Sequence, residues 1–223
     1  MKNKDSKKLW LNIDKTISNQ NFSLGRYTTQ ALSDDPISIS FIASRYKFCS
    51  KMLASKDKIL EVGCGDGFGS IIIQQFCKKL TCTDINKVQI SDNQKRYINL
   101  KKIDFKYHDF RNSSLKQKYD AVYLIDVIEH IFPKEEHKFL KNIFKSLKKD
   151  GICIIGTPNQ TSQKFASKYS KLGHVNTKTY EDLSEMGKKY FKNYFIFGMN
   201  DEVIHTGYSK MCHYLWLIGS CIK

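Results

Sequence analysis

The sequence has no long hydrophobic run. No apolar stretch approaches the roughly 18 residues that a membrane-spanning helix needs, so no membrane span is expected. The N-terminal segment MKNKDSKKLWLNIDK is basic, but it lacks the apolar core and the small-residue cleavage site of a secretory signal. Internal repeats, low-complexity segments and linkers are also missing. Together these absences predict a soluble, cytoplasmic protein.

Paired cysteine motifs are missing as well. The seven cysteines are odd in number and include no CxxC pair, and most of them lie in apolar runs. This pattern disfavours a disulfide framework or a zinc knuckle and predicts buried thiols in a reducing compartment. The residues concerned are Cys49, Cys64, Cys77, Cys82, Cys153, Cys212 and Cys221.

The formal charge of the chain, by contrast, is large, at +15. Such a charge attracts acidic partners, for example a phosphorylated metabolite, a nucleic acid or an anionic membrane surface. The lysines are spread along the chain, however, without an Arg-rich or Lys-rich block, as in proteins from AT-rich genomes. We therefore expect a small-molecule substrate, and nucleic acid is the less favoured partner. The oligomeric state stays open.

The order of apolar segments predicts an α/β protein. A length of 223 residues suits one well-cored domain with a small appendage. Residues 1–55 have no glycine-rich loop and are predicted to form a helical N-terminal flank. Strand-length and helix-length segments then alternate, as in a parallel sheet covered on both faces. We assign 56–223 to this domain, with an insertion around 159–180 and a closing antiparallel pair formed by KYFKNYFIFGM and MCHYLWLIGS.

A glycine-rich turn follows the first strand-length run, in ILEVGCGDGFGS. Such a turn can hold a nucleotide-like ligand, because backbone comes close to it and the next helix offers free N–H groups. A phosphate loop requires Lys-Ser or Lys-Thr after the glycines, and none is present. A dinucleotide loop requires a third glycine where this chain has Phe68. What remains is Glu61-x-Gly63-x-Gly65-x-Gly67.

This acid-plus-glycine pattern resembles the first motif of class I S-adenosylmethionine-dependent methyltransferases. The resemblance implies a Rossmann-like seven-stranded, mostly parallel sheet with helices on both faces and an antiparallel C-terminal strand pair. It also implies S-adenosylmethionine as the cofactor, with the loop beneath its methionine and ribose parts. The loop residues that the resemblance assigns to cofactor binding are Gly63, Cys64, Gly65 and Gly67.

Three further matches follow in family order. Asp84 ends the strand LTCTD, and in the resembled family this acid binds both ribose hydroxyls while the next residue, Ile85, packs on adenine. Asp109 and the backbone N–H of Phe110 are expected at the adenine amino group, and Asp126 beside the methionine part. A strand-end Asp taken alone is as readily a turn or cap residue. The ordered set of motifs favours the cofactor site.

The acceptor is indicated less directly. The [DN]-P-P-[YF] motif of nucleobase amino-group methyltransferases is missing after the fourth strand. The segments DVIEHI, GTPNQ and GHVNTKTYEDL resemble ubiquinone-pathway O-methyltransferases and their small-molecule relatives, which place a histidine at His174. With His205 from the C-terminal segment, His174 is a candidate catalytic residue. The tail resembles methyltransferases of capsule gene clusters, including the O-methyl phosphoramidate type. We therefore expect O-methylation of a small, anionic or phosphorylated molecule in capsule or surface-polysaccharide modification.

Two alternatives stay open at this point. Asp126, Glu129 and His130 follow i, i+3, i+4 spacing and, with His174, could hold a divalent metal as in small-RNA 2′-O-methyltransferases. Glu129 and His130 could equally cap and pack their own turn. The charge and this residue set make an RNA ribose 2′-O-methyltransferase the first alternative. The second is a catalytically inactive, cofactor-binding regulatory protein.

Overall fold

Among the described residues, three helices precede the first strand. The computed structural model describes residues 5–17 and 22–223, so residues 1–4 and 18–21 of the predicted flank lie outside the described residues. The helices are α1 (Ser6–Asp14), α2 (Arg26–Asp34) and α3 (Ser38–Met52). α3 begins two residues after Pro36, in the segment for which helical spacing was predicted. The domain limits at 55 and 56 stay predictions.

The described residues form one eight-stranded sheet of β1 (Lys58–Val62), β2 (Lys79–Asp84), β3 (Ile103–Tyr107), β4 (Tyr119–Ile125), β5 (Leu147–Pro158), β6 (Phe191–Asn200), β7 (Val203–His205) and β8 (Tyr214–Ile222). The strand order in the sheet is β3-β2-β1-β4-β5-β8-β6-β7. β1 to β5 pair in parallel, and β8 runs antiparallel between β5 and β6. The Rossmann-like α/β prediction is confirmed, with one strand more than expected because the short β7 extends the edge.

Helices pack on both faces of this sheet. One core cluster joins the sheet to α3, α4 and α5, and the second joins the opposite face to α6 and α8. All seven cysteines are free thiols, and six are buried. Among the described helices, none is long and apolar enough to cross a membrane. The remaining helices are α4 (Phe68–Gln74), α5 (Lys87–Arg96), α6 (Pro133–Ser146), α7 (Lys168–Gly173) and α8 (Tyr180–Tyr190).

The predicted insertion is short helical structure linked to the C-terminal strands. It contains a 3₁₀ turn at 160–165 and helix α7, and it ends where α8 begins with a capping box between Thr179 and Asp182. Main-chain bonds fasten it to the 3₁₀ turn after β4, because the Glu129 carbonyl accepts the N–H groups of Val175 and Asn176 at 2.9 and 3.0 Å. The insertion therefore lies at the carboxyl edge of the parallel strands, where α/β proteins bind ligands.

Candidate functional site

The glycine loop joins β1 to α4 in a left-handed backbone. Gly63, Gly65 and Gly67 have φ angles of 76°, 52° and 76°, which residues with a Cβ rarely adopt. A Cβ at Gly63 would also lie 2.4 Å from the Val127 side chain. These positions need glycine for conformation and, at Gly63, for space. The alternating glycines of the sequence thus keep backbone at the surface of the site.

Asp84 ties the end of β2 to this loop. Its Oδ2 accepts the N–H of Gly65 at 3.0 Å, and its Oδ1 accepts the N–H of Asn86 at 2.8 Å. A carboxylate has about four lone-pair sites, so two backbone bonds leave capacity for ligand hydroxyls. The neighbouring Ile85 is more than half exposed and lies on the same cavity wall.

Asp109, after β3, is held by an arginine that the sequence patterns did not single out. Arg111 Nη2 and Nε donate to the two carboxylate oxygens at 2.9 and 3.0 Å. These bonds lower the pKa of Asp109, so its carboxyl group is ionised at neutral pH. Asp109 and Arg111 both line the cavity beside the glycine loop, and the buried Phe110 lies between them. Arg111 stands two residues after Asp109 in the sequence, and this spacing is the signal that could have predicted the pair.

The predicted cofactor residues converge on one cavity of about 550 Å³, called the cofactor cavity below. Two of the predicted residues, Cys64 and Gly67, do not line this cavity. Cys64 is buried, which raises the pKa of its thiol well above the usual value, and Gly67 faces Tyr97 and Phe105. Those that line the cavity are Gly63, Gly65, Asp84, Ile85, Asp109, Phe110 and Asp126.

Helix α2 supplies a wall of this cavity. Asp66, buried in the glycine loop, accepts the N–H of Thr28 at 2.7 Å and its hydroxyl at 3.0 Å. A backbone N–H in the first turn of a helix lacks an intrahelical partner, so the carboxylate satisfies it. These two hydrogen bonds between Asp66 and Thr28, called the latch below, place Tyr27 against Gly65, and Tyr27 lines the cofactor cavity.

Asp126 occupies a strained position at the end of β4. Its φ of 56° lies in the left-handed region, which is uncommon for a residue other than glycine. Its Oδ2 accepts a bond from Arg45 Nη1 at 2.8 Å, and the Arg45 guanidinium lies 4.1 Å from the centre of the Tyr214 ring. Its Oδ1 is buried and has no hydrogen-bond partner among the described residues. Strain and an unpartnered oxygen together are typical of a ligand-binding position.

Glu129 is the most deeply buried acid of this region. Its Oε2 accepts the Thr157 hydroxyl at 3.0 Å, whereas Oε1 is buried without a partner among the described residues. Burial, and then the neighbouring Asp126 charge, raise the pKa of Glu129 to about 8. At neutral pH this carboxyl group is mainly protonated.

His174 and His130 face each other across the insertion. Their ring centres are 5.1 Å apart, and each uses Nδ1 in a hydrogen bond, His174 to Gln163 Oε1 at 2.7 Å and His130 to the Gly173 carbonyl at 2.9 Å. Burial, and then the nearby His130, lower the pKa of His174, so its ring is neutral at pH 7. Since Nδ1 is engaged, Nε2 is the atom left to accept a proton or to bind a metal.

The structure brings three of the four predicted metal ligands together. One ligand atom from each of Glu129, His130 and His174 lies within 4.8 Å of the others. Asp126 lies outside this trio, but together with the three residues it lines a second cavity, which is described next. His205 is not part of this trio. It lies on β7, where its Nδ1 accepts the Gly207 N–H at 3.0 Å, and it lines neither the second cavity nor the cofactor cavity.

The second cavity, of about 790 Å³, lies against the histidine pair and is called the acceptor cavity below. Asp126 and His130 line both cavities, so the two meet at these residues. A ligand in one cavity can therefore contact a ligand in the other, which is the arrangement that group transfer needs. Further lining residues are Arg45, Glu129, Pro158, Ser162, Gln163, Phe165, Ala166, Tyr169, Ser170, His174 and His213.

Curated proteins similar to this chain match its central part. Residues 60–155 match a family model described as a methyltransferase domain. A ubiquinone biosynthesis O-methyltransferase of Rickettsia akari (strain Hartford) is 27% identical over 134 residues, which are 59% of this chain and 52% of that protein. The chain spans about half the length of the curated relatives it matches.

Solved structures match most of the chain. The N-methyltransferase NodS from Bradyrhizobium japonicum WM9, in complex with S-adenosyl-L-homocysteine, has a TM-score of 0.64 at 16% identity, over 85% of this chain and 90% of NodS. The methyltransferase domain of bacterial CtHen1-C also has a TM-score of 0.64, at 18% identity, over 80% of this chain and 97% of that domain. At these identities the superpositions establish a shared fold.

Proposed function

From the class I S-adenosylmethionine-dependent methyltransferase fold of this chain, and from the match of residues 60–155 to a methyltransferase domain, we propose an O-methyltransferase. Its acceptor would be an oxygen atom of a small, anionic or phosphorylated molecule. The observation that carries the proposal is the pair of cavities meeting at Asp126 and His130. One cavity holds the predicted cofactor residues, and the other holds a neutral histidine, His174, that can accept a proton.

S-adenosylmethionine is the cofactor of this proposal. The bare backbone at Gly63 and Gly65 leaves room for the methionine and ribose parts, and Asp84 has lone pairs left for the ribose hydroxyls. Asp109, held ionised by Arg111, would accept from the adenine amino group. The backbone N–H of Phe110 would be the matching donor.

The reaction is an in-line displacement. The acceptor oxygen attacks the methyl carbon, the carbon–sulfur bond breaks, and S-adenosylhomocysteine leaves with the electron pair on sulfur. A hydroxyl acceptor would give its proton to Nε2 of His174, whereas a phosphate or carboxylate oxygen needs no base. His205 lies away from both cavities, so His174 is the candidate base that this geometry favours. Capsule or surface-polysaccharide modification in the cytoplasm is a setting that we propose on sequence resemblance alone.

A divalent metal fits the donor set beside the acceptor cavity. Glu129 has a buried, unpartnered oxygen, and the Nε2 atoms of His130 and His174 are not used by the bonds that hold their rings. Oxygen and imidazole ligands in this number suit a divalent transition-metal ion such as Zn²⁺ or Mn²⁺. When bound, an ion there would lower the pKa of an acceptor hydroxyl. His174 would then hold the ion, and the base would be another group.

Calorimetry with S-adenosylhomocysteine tests the cofactor site. Asp84→Asn should weaken binding about 10- to 100-fold, because a hydrogen bond to a charged group contributes roughly 1.5–3 kcal/mol. Asp104→Asn, a change of the same kind at a half-buried residue of β3 that lines neither cavity, should leave the affinity unchanged. Equal affinities of wild type and Asp84→Asn would refute this cofactor site.

Methyl transfer to a panel of phosphorylated and carboxylated hydroxy compounds tests the reaction. His174→Ala should lower kcat about 100-fold or more for a hydroxyl acceptor, since general-base catalysis contributes roughly 10²–10⁴-fold. His205→Ala is the matched control and should stay near the wild-type rate. Cofactor binding without turnover on any acceptor, and no effect of His174→Ala, would favour the catalytically inactive regulatory protein.

An RNA ribose 2′-O-methyltransferase is the second candidate function. The observation that favours it is the cluster of Glu129, His130 and His174 beside an open cavity in a strongly basic chain. It requires methyl transfer to an RNA oligonucleotide that rises with added Mn²⁺ or Mg²⁺. Absence of labelled RNA, with small acceptors labelled under the same conditions, would remove it.

A further inference from the structure

Two buried oxygen atoms near the junction of the cavities have no hydrogen-bond partner among the described residues. One is Oδ1 of Asp126, whose other oxygen, Oδ2, is bonded to Arg45. The other is the hydroxyl oxygen of Tyr214 on β8, a residue that is 2% exposed and that the sequence patterns did not single out. Buried polar atoms without a partner are rare in native proteins because they cost stability. Two of them on neighbouring residues therefore indicate a role in the site.

Tyr214 packs directly against the groups that hold Asp126. The centre of its ring lies 4.1 Å from the Arg45 guanidinium, and Arg45 Nη1 donates to Asp126 Oδ2 at 2.8 Å. Its hydroxyl lies over Gly156, where an added Cβ would come within 2.7 Å of it. The carbonyl of the same Gly156 accepts the Asp126 N–H at 3.1 Å. Ring and hydroxyl thus approach Asp126 by two separate routes, one through Arg45 and one beside the Asp126 backbone.

The chemistry of the two unpartnered atoms is complementary. A phenol hydroxyl can donate a hydrogen bond, whereas an ionised carboxylate can only accept one. Burial, and then the Asp126 charge, raise the pKa of Tyr214 well above its usual value, against a smaller opposing effect of Arg45, so the hydroxyl keeps its proton. Since Arg45 occupies Oδ2, the atom that the hydroxyl can serve is Oδ1 of Asp126.

We infer that Tyr214 is a positioning residue, which holds Asp126 through Arg45 with its ring and donates its hydroxyl to Asp126 Oδ1 when ligands order the site. Hydrogen bonds of this kind commonly tighten only in the loaded enzyme. The left-handed backbone of Asp126 costs free energy, which such contacts offset. Because Asp126 lines both cavities, a fixed carboxylate there orients the ligands that meet at it. The inference rests on the cofactor site of the proposed function and adds a residue to it.

A purely structural tyrosine is the alternative explanation. In that case the ring only fills the core between Arg45 and Trp216, whose ring centre is 5.1 Å away, and the hydroxyl has no task. Loss of the hydroxyl would then leave ligand affinity unchanged, and it would leave stability unchanged or raise it, because an unpartnered buried group is removed. The two explanations therefore differ in the affinity that they predict for a variant without the hydroxyl.

Calorimetry with S-adenosylhomocysteine on the full chain tests the hydroxyl. Tyr214→Phe keeps the ring beside Arg45 and removes only the donor, so the affinity should fall about tenfold while the Tm of the ligand-free protein is unchanged or slightly higher. Tyr214→Leu, which removes the ring as well, should bind about two- to fivefold more weakly still. Tyr119→Phe is the matched control, since this buried tyrosine at the amino end of β4 lines neither cavity, and its affinity should equal that of wild type.

A double-mutant cycle tests whether the hydroxyl acts through Asp126. In an Asp126→Gly background, where glycine tolerates the left-handed backbone, Tyr214→Phe should change the affinity less than about twofold, because its partner is already gone. A tenfold loss in both backgrounds would overturn the inference. So would wild-type affinity in Tyr214→Phe while Asp84→Asn binds more weakly, or a loss of affinity accompanied by a lower Tm of the ligand-free protein. Failure of wild type to bind S-adenosylhomocysteine would instead refute the cofactor site, and this inference with it.

Discussion

Buried carboxyl groups dominate the chemistry of this site at the scale of the residue. Asp126 has a left-handed backbone conformation and lines both cavities. Glu129 lines the acceptor cavity, and one of its carboxyl oxygens has no partner among the described residues. Arg45 balances the first acid, whereas the second is kept mainly neutral by burial and by the charge of the first. Two acids with such different surroundings can serve different purposes, one beside the cofactor and one beside the acceptor or a metal.

Glu129 should make stability depend on pH in the presence of a chelator. Its pKa rises from the usual 4.5 to about 8 on folding, so the folded chain binds the extra proton between these values, and its contribution to stability is lost as pH rises through this window. Glu129→Gln keeps the hydrogen-bonding shape without the charge. We expect the Tm of this variant to exceed that of wild type at pH 9 by at least about 2–4 °C, the equivalent of roughly 1 kcal/mol. At pH 5 the two should melt together, and a constant difference across this range would contradict the raised pKa.

Helices outside the sheet complete the site at the scale of the element. The latch between Asp66 and Thr28 sets α2 over the glycine loop, and the bonds from Glu129 to the main chain of 175–176 set the insertion over the histidines. In both cases the site accepts N–H groups from a segment distant in sequence, through the Asp66 carboxylate for α2 and through the Glu129 main-chain carbonyl for the insertion. A substitution at Asp66 can therefore loosen α2, whereas the insertion is loosened at a side-chain contact, the one between Glu136 and Lys178.

Loosening α2 should weaken cofactor binding. Asp66→Asn removes the charge that accepts the Thr28 N–H and should lower the affinity for S-adenosylhomocysteine about tenfold, with a stability loss of roughly 1–3 kcal/mol. Tyr27→Ala keeps the latch but removes a side chain that lines the cofactor cavity. It should lower the affinity for S-adenosylhomocysteine at little cost in stability. Calorimetry and thermal melts of both variants measure this. Unchanged affinity in Asp66→Asn would mean that α2 does not contribute to the site.

Loosening the insertion should affect turnover without affecting cofactor binding. Glu136 pairs with Lys178 at 2.5 Å and accepts Asn176 Nδ2 at 2.6 Å, so Glu136→Gln leaves a buried ammonium group without its carboxylate. We expect a loss of roughly 1–3 kcal/mol of stability and a lower kcat, because His174 lies in the segment that these bonds hold in place. Glu135→Gln, one residue earlier on α6, is the control. An unchanged kcat in Glu136→Gln would show that the insertion is held by its main-chain bonds alone.

Uneven charge distribution is the main feature at the scale of the whole molecule. The chain carries a net charge of +15, whereas in the site Arg45 and Arg111 offset Asp126 and Asp109, and Glu129 is mainly protonated. A polyanion would therefore be attracted to the surface more strongly than to the site. Such binding follows counterion release and falls steeply with salt.

RNA should accordingly be a weak, salt-sensitive ligand and not an inhibitor of the reaction. We expect an RNA oligonucleotide to bind at low salt and to be lost near physiological salt, with methyl transfer to small acceptors unaffected by added RNA. Filter binding over a salt series, with a transfer assay run in parallel, measures both. Tight binding at physiological salt together with inhibition would favour the RNA alternative over a small acceptor.

The sequence by itself determined the parallel sheet, the glycine loop and the strand-end acids. These features depend on local requirements, such as a left-handed backbone at Gly63 and alternating strand and helix segments, which neighbouring residues express wherever they occur. The tertiary structure alone decided which distant groups meet. It joined Arg45 to Asp126, Asp66 to Thr28 and His174 to His130, and it kept His205 apart. Such pairs are separated by tens of residues, and only the packing of helices and the insertion against the sheet brings their side chains into contact.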